Sequence, residues 1–216
     1  MSGKLYPESS VEIEGKTAKY YGTVMNLMSG GLYSVLINDV IKKLKIQPND
    51  KILDLGAGNG YNACIMNRYL SLSGEILGLD IGDDMIATFK KKCSKYQNIT
   101  IKKQRIDEPF YFNKKFDKIF ISFVLHGLPY ESQLKVIENA YNNLTDTGSF
   151  YILDYNEFDI REIPFYKKKA FEFIECPMAF DYIKRDWVDI LRSFGFISFE
   201  EKFYSLNMVR LLKVQK

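Results

Sequence analysis

The stretch Lys51-Ile52-Leu53-Asp54-Leu55-Gly56-Ala57-Gly58-Asn59-Gly60, followed by Glu75-Ile76-Leu77-Gly78-Leu79-Asp80, decides the fold. Lys51 to Leu55 is a short apolar run without helical spacing, as a buried strand has. Three glycines at alternate positions then turn the chain, a helix is expected over about Tyr61–Ser71, and Glu75–Asp80 reads as a second strand. Strands joined through a helix of this length lie parallel, with a right-handed crossover.

Upstream, Ile37, Val40, Ile41 and Leu44 stand at i, i+3, i+4 and i+7, the apolar stripe of a helix that Gln47-Pro48-Asn49-Asp50 brings to a stop. Downstream, Asp83 or Asp84 caps a helix that buries Met85, Ile86 and Phe89 and ends in Lys90, Lys91 and Lys92, its end charges offsetting the helix dipole. Ile99–Lys103, Phe116–Phe123 and Ser149–Asp154 read as strands three to five, with a helix striped by Leu134, Ile137, Tyr141 and Leu144 before the last. Pro164–Glu175 reads as an inserted helix and Trp187, Ile190 and Leu191 mark another, which Gly195 ends. Ile197–Tyr204 and Leu206–Val214, with a turn near Ser205, make an antiparallel hairpin at the sheet edge. The expected fold class is α/β: a doubly wound, mostly parallel seven-stranded sheet with N-terminal helices and a C-terminal antiparallel hairpin. One domain over 1–216 is expected, with an arm and cap helices at 1–45 and a lid insert at 155–182.

Composition narrows the function classes. The 216 residues are 46% hydrophobic and 26% charged, enough apolar material for a core. Thirty Lys and Arg against 27 Asp and Glu leave +3, scattered too evenly for a nucleic-acid-binding face. Three dispersed cysteines (64, 93, 176) and one histidine argue against a disulfide framework and against a Cys/His metal site, and a cytoplasmic setting follows. The N-terminus lacks the apolar core of a signal peptide, and no run is long enough to span a bilayer.

In a doubly wound sheet, ligands bind beyond the carboxyl ends of the strands where the winding reverses, which puts the glycine loop at the ligand. A dinucleotide fingerprint would need glycine at position 61, which is Tyr61, and a phosphate-binding P-loop is absent. The loop therefore suits a ligand that rests on bare backbone without a pyrophosphate. Asp80, ending strand two, is placed to accept hydrogen bonds from two vicinal ribose hydroxyls.

Asp-x-Gly-x-Gly-x-Gly after strand one, with an acid ending strand two, resembles the class I S-adenosylmethionine (SAM) methyltransferases and their Rossmann-like fold. The resemblance runs from about Thr17 onward. It implies that Gly56, Ala57, Gly58 and Gly60 lie under the methionine and ribose of SAM, that Asp54 lies near the methionine amino group and that Asp80 holds the ribose. Ile81 would border the adenine, Met85 and Ser122 would belong to the cofactor set, and Ile106 and Asp107 are the adenine candidates if the loop after strand three shifts. The product would be S-adenosylhomocysteine. A closer resemblance is to the UbiE/COQ5 group, which C-methylates quinols. It is carried by Ala18-Lys19-Tyr20-Tyr21 through Met25–Leu32, by Phe116–Phe123, and by Phe180-Asp181-Tyr182-Ile183 with Leu191–Phe196. This chain departs from that group at Gly56, Asn59 and Tyr61, and Arg105 stands where an acid is usual.

Several residues keep two readings. His126, after strand four, is a candidate base for an acceptor hydroxyl or a loop residue that shapes the pocket. Asp154 and Tyr155 either orient an acceptor or cap strand five. Tyr20 and Tyr21 either meet the sulfonium through cation–π contact or pack in the core. Phe165, Tyr166, Phe171, Phe173, Met178 and Phe180 either line an apolar acceptor pocket, touch a membrane transiently, or form the insert's own core. The partner expected is a small, apolar or aromatic acceptor, with a quinol leading. The alternatives are another small metabolite, or a SAM-binding module without catalysis. No Asn/Asp-Pro-Pro-Tyr motif follows strand four, which speaks against nucleic-acid bases.

Overall fold

Continuous aliphatic runs become central strands here because helices cover both faces of the sheet. The computed structural model describes Tyr6 and residues 32–216. Helix α1 (Leu32–Lys43) leads into β1 (Lys51–Leu55), α2 (Tyr61–Met66), β2 (Glu75–Asp80), α3 (Asp83–Cys93), β3 (Ile99–Lys103) and β4 (Phe116–Ser122). Then come α4 (Tyr130–Asn143), β5 (Leu144–Tyr155), α5 (Phe165–Ile174), α6 (Pro177–Tyr182), α7 (Trp187–Ser193), β6 (Ser198–Tyr204) and β7 (Val209–Gln215). The sheet order is β3-β2-β1-β4-β5-β7-β6. Five strands are parallel, and β7 runs antiparallel to both β5 and β6. The doubly wound sheet with its terminal hairpin is as the pattern predicts. Among the described residues no helix is long and apolar enough to cross a membrane.

Side-chain alternation divides the core in two. Leu53, Leu55, Ile119, Ile121, Phe150 and Ile152 face the layer of α4, α6 and α7, where Val136, Ile137, Tyr182, Trp187 and Leu191 are buried. Ile52, Ile76, Phe120, Tyr151 and Leu153 face α1 to α3, against Ile37, Ile41, Met66 and Phe89. The Tyr151 hydroxyl donates to the Leu44 carbonyl at 3.1 Å, tying the end of the first helix to the sheet.

Three details differ from the sequence pattern. The N-cap of α3 is Gly82, without a side-chain cap; Asp83 lies in the first turn, where its carboxylate pairs with Lys103 at 2.6 Å. In α4 the buried face carries Gln133, Asn139 and Asn143 beside Val136, Ile137 and Ala140, whereas Leu134 and Tyr141 are half-buried and Leu144 begins β5. The amides are inside because they serve loop carbonyls: Gln133 donates to Leu125 and Leu128, Asn139 to Ile106 and Glu108, and Asn143 to Phe110. Apolar periodicity cannot register such positions. The insert contains α6, a helix the pattern does not reveal. The residues resembling an N-terminal cap, Tyr20 and Tyr21 among them, lie outside the described residues.

Phe120 is fully buried at the centre of the α1–α3 face. Phe120→Ala is expected to cost about 3–5 kcal/mol in urea unfolding, and a loss under 1 kcal/mol would contradict this packing.

Candidate functional site

The sheet reverses its winding between β1 and β4, and the turn beyond the carboxyl end of β1 is rich in left-handed backbone. Gly56, Gly58 and Gly60 all take positive φ, at 68°, 54° and 79°. A Cβ on Gly60 would lie 2.9 Å from a Phe89 ring carbon and 3.0 Å from Cys93 Sγ, so packing beneath the loop demands a bare backbone there. Gly58 differs: its Cβ would meet nothing nearer than the Gly56 carbonyl oxygen at 4.0 Å. Among the described residues, nothing fills the space above Gly58.

Asp80 fastens this loop to the end of β2. The Gly58 N–H donates to its Oδ2 at 2.7 Å and the Gly82 N–H to its Oδ1 at 2.8 Å. The Ala57 N–H adds a bond to the Leu79 carbonyl at 2.9 Å. Burial raises the Asp80 pKa, opposed by the backbone donors of Gly82, Gly58 and Ile81. Each carboxylate oxygen keeps acceptor capacity beyond its one backbone bond. Asp54, buried on β1, is pushed up to about 8 by burial and then by the charge of Asp80, and its Oδ2 has no hydrogen-bond partner among the described residues. A buried oxygen of this kind needs a donor to offset its desolvation. Close by in sequence, Asn62 donates to the Ser122 hydroxyl at 2.8 Å while its own Oδ1 is buried without a partner among the described residues. Met85 is buried and Ile81 half-buried beside Asp80.

Ile106 and Asp107 are drawn elsewhere. Ile106 packs in the core with Phe110 and Phe116. Both oxygens of Asp107 accept bonds from Arg105, and Oδ2 also accepts from Ser132. Burial would raise the Asp107 carboxyl, but the bonds from Arg105, Tyr6 and Ser132 hold it at about 2. The arginine in the place of the usual acid engages this carboxylate, two positions along the chain.

A second polar cluster lies at the carboxyl end of β5. His126, buried in the turn after β4, bonds through Nδ1 to Asp154 Oδ1 at 2.6 Å and through Nε2 to Glu175 Oε2 at 3.2 Å. The His126 N–H also donates to Asp154 Oδ2, and the Tyr155 hydroxyl donates to Glu175 Oε1 at 2.6 Å. Burial alone would lower the imidazolium, but Asp154 and Glu175 overcome it and raise the pKa to about 10. Both ring nitrogens then donate, and neither retains a free lone pair. Burial likewise acts to raise Glu175, and the bonds from His126 and Tyr155 hold it below its ordinary range. Glu175 follows α5 and carries no motif that could have singled it out. Of the insert's aromatics, Phe171 is buried against Tyr155, Phe158 and Phe180, whereas Phe165, Tyr166 and Phe173 are exposed.

Residues 46–194 match the family described as "Methyltransferase domain". The demethylmenaquinone methyltransferase of Lactobacillus johnsonii is 28% identical over 152 residues, covering 68% of this chain and 62% of that protein. The ubiquinone/menaquinone biosynthesis C-methyltransferase UbiE of Proteus mirabilis is 24% identical over 143 residues, covering 65% and 56%. The chain thus spans less than two thirds of the length of these curated relatives. A SAM-dependent methyltransferase from Aquifex aeolicus shares the fold, with a TM-score of 0.61 at 16% identity over 83% of this chain and 89% of that one.

Two outcomes follow from the geometry. Gly60→Ala is expected to lower the melting temperature well beyond Gly58→Ala, because both meet the left-handed strain of about 1–2 kcal/mol while only Gly60 meets Phe89 and Cys93; equal losses would contradict the packing beneath the loop. The His126 pKa stands above its ordinary value, so its stabilisation is complete below about pH 6.5 and is lost as pH rises toward about 10. His126→Gln should therefore destabilise the protein more near pH 6 than near pH 10 in urea unfolding. A pH-independent difference would contradict the paired imidazolium.

Proposed function

The chain belongs to the methyltransferase domain family, and from that premise we propose that it transfers the methyl group of SAM to a small, apolar or aromatic acceptor, with a quinol the leading candidate. The observation that carries the cofactor is the pair of carboxylates at the loop. Asp80 is oriented by two backbone N–H groups with acceptor capacity to spare, as vicinal ribose hydroxyls require. Asp54 offers a buried, unpartnered oxygen, as a methionine ammonium requires. The space above Gly58, open among the described residues, would admit a ligand onto the main chain. Gly56, Gly58, Gly60, Asp54 and Asp80 would hold SAM, and Ala57, Ile81, Met85 and Ser122 would border it.

Bound SAM supplies a methyl group on a sulfonium, a good leaving group. The chain's own task is alignment and exclusion of water, and orientation of this kind is worth about 7–11 kcal/mol in favourable cases. An ammonium beside Asp54 would hold that carboxyl ionised, removing the cost that burial imposes on its charge. We read the His126–Asp154–Glu175–Tyr155 cluster as the tie that holds the insert across the end of β5, since an imidazole with both nitrogens bonded has no lone pair for an acceptor proton. His126, Asp154 and Tyr155 then act by positioning, and Phe171, Phe158 and Phe180 give the insert its apolar lining. The quinol assignment draws on the names of the two curated relatives.

Calorimetry with SAM, followed by transfer of labelled methyl to a demethylated quinol and to other small acceptors, tests this reading. Binding with label on the quinol is expected; binding without transfer to any acceptor would favour a silent module, and no binding would overturn the reading. Gly58→Val should abolish binding while the chain stays folded. Asp54→Asn should weaken SAM binding yet stabilise the ligand-free protein. The raised Asp54 pKa removes stability as pH climbs from about 4 to about 8, so that gain should be large at pH 8 and vanish near pH 4. A variant less stable than the parent at pH 8 would contradict the buried carboxyl.

A further inference from the structure

Cys64 on α2 and Cys93 at the end of α3 are far apart in sequence, yet their Sγ atoms lie 3.1 Å apart. Both thiols are free. Their separation is about 1 Å from the ~2.05 Å of a disulfide bond. Cys64 is half-buried and Cys93 buried. The bond from Cys93 lowers the Cys64 pKa, to about 7, against burial and with help from the charges of Lys92, Lys95 and Arg68. The same bond, together with burial, pushes Cys93 up. The pair is therefore asymmetric, a half-buried thiolate beside a buried thiol, as reactive dithiols are.

The pair also abuts the glycine loop. The Cys64 N–H donates to the Gly60 carbonyl at 3.0 Å, and the Cys93 Sγ lies 3.8 Å from the same oxygen.

We propose that Cys64 and Cys93 are a modification site for hydroperoxides that closes a reversible intramolecular disulfide and weakens ligand binding at the glycine loop. The Cys64 thiolate attacks the terminal peroxide oxygen. An S–O bond forms, the O–O bond breaks, and the departing alkoxide or hydroxide takes a proton and leaves as alcohol or water. The Cys93 sulfur then attacks the Cys64 sulfenic acid: the S–S bond forms, the S–O bond breaks, and the thiol proton leaves with hydroxide as water. Two electrons pass from the two thiols to the peroxide, and an added dithiol returns them. Closing the bond shifts the Cys93 Sγ that packs beneath Gly60 and removes its thiol proton. The coupling rests on the cofactor reading above; the disulfide does not.

The test uses the whole chain, oxidised with stoichiometric hydrogen peroxide. Titratable thiols in denaturant should fall from the three of the sequence to one, with Cys64 and Cys93 recovered in one disulfide-linked peptide pair and Cys176 free. Cys64→Ser and Cys93→Ser should each abolish the link. The oxidised protein should bind SAM several-fold more weakly and recover with dithiothreitol. Three remaining thiols, a sulfinic acid on Cys64 without a link, or a link through Cys176 would overturn the disulfide. A linked protein with unchanged SAM affinity would overturn the coupling. Failure of both the reduced and oxidised forms to bind SAM would overturn the coupling and the cofactor reading together, a result the thiol count distinguishes from failure of the disulfide.

Discussion

The bond between the Gly58 N–H and the Asp80 carboxylate is the constraint around which the site is arranged. It joins the turn after β1 to the end of β2, and it forms because Gly58 takes a φ of 54° that turns its N–H toward the neighbouring strand. The Gly82 N–H completes the hold from the other side. A carboxylate fixed in this way presents its remaining lone pairs without losing rotamer freedom on binding, which is how preorganisation strengthens recognition. Burial first, and then the same charge, raises the Asp54 carboxyl, so the two acids of the loop region are linked electrostatically.

The sheet separates two kinds of work. On the α1–α3 side, close packing of Phe89 and Cys93 under Gly60 sets the shape of the loop. On the α4–α7 side, buried charges set the position of the insert: His126 lies between Asp154 of β5 and Glu175 of the insert, and Tyr155 contacts the same glutamate. Arg210 of β7, buried, pairs with Glu157 and Glu201 and ties the start of the insert segment to the hairpin. Breaking one member of such a cluster leaves an uncompensated buried charge, which gives these contacts influence beyond their number.

The central strands were legible because short, largely apolar runs stand between turn residues, and the loop was legible because three alternate glycines after a strand have few other uses. Asp54, Gly58 and Asp80 could be singled out for the same reason. Glu175 could not, because its role arises only when the insert folds back onto β5. The amides of α4 escaped because inward polar residues lack an apolar period, and Asp107 because the side chain that claims it, Arg105, lies two positions away with no local signature. Cys64 and Cys93 converge only through the packing of α2 on α3.

A crystal structure with S-adenosylhomocysteine measures the central claim most directly. The account predicts both ribose hydroxyls within hydrogen-bond distance of Asp80, the ligand amino group beside Asp54 Oδ2, and the nucleoside seated over Gly58. A nucleoside bound elsewhere, or an Asp80 carboxylate turned away from the ribose, would contradict it.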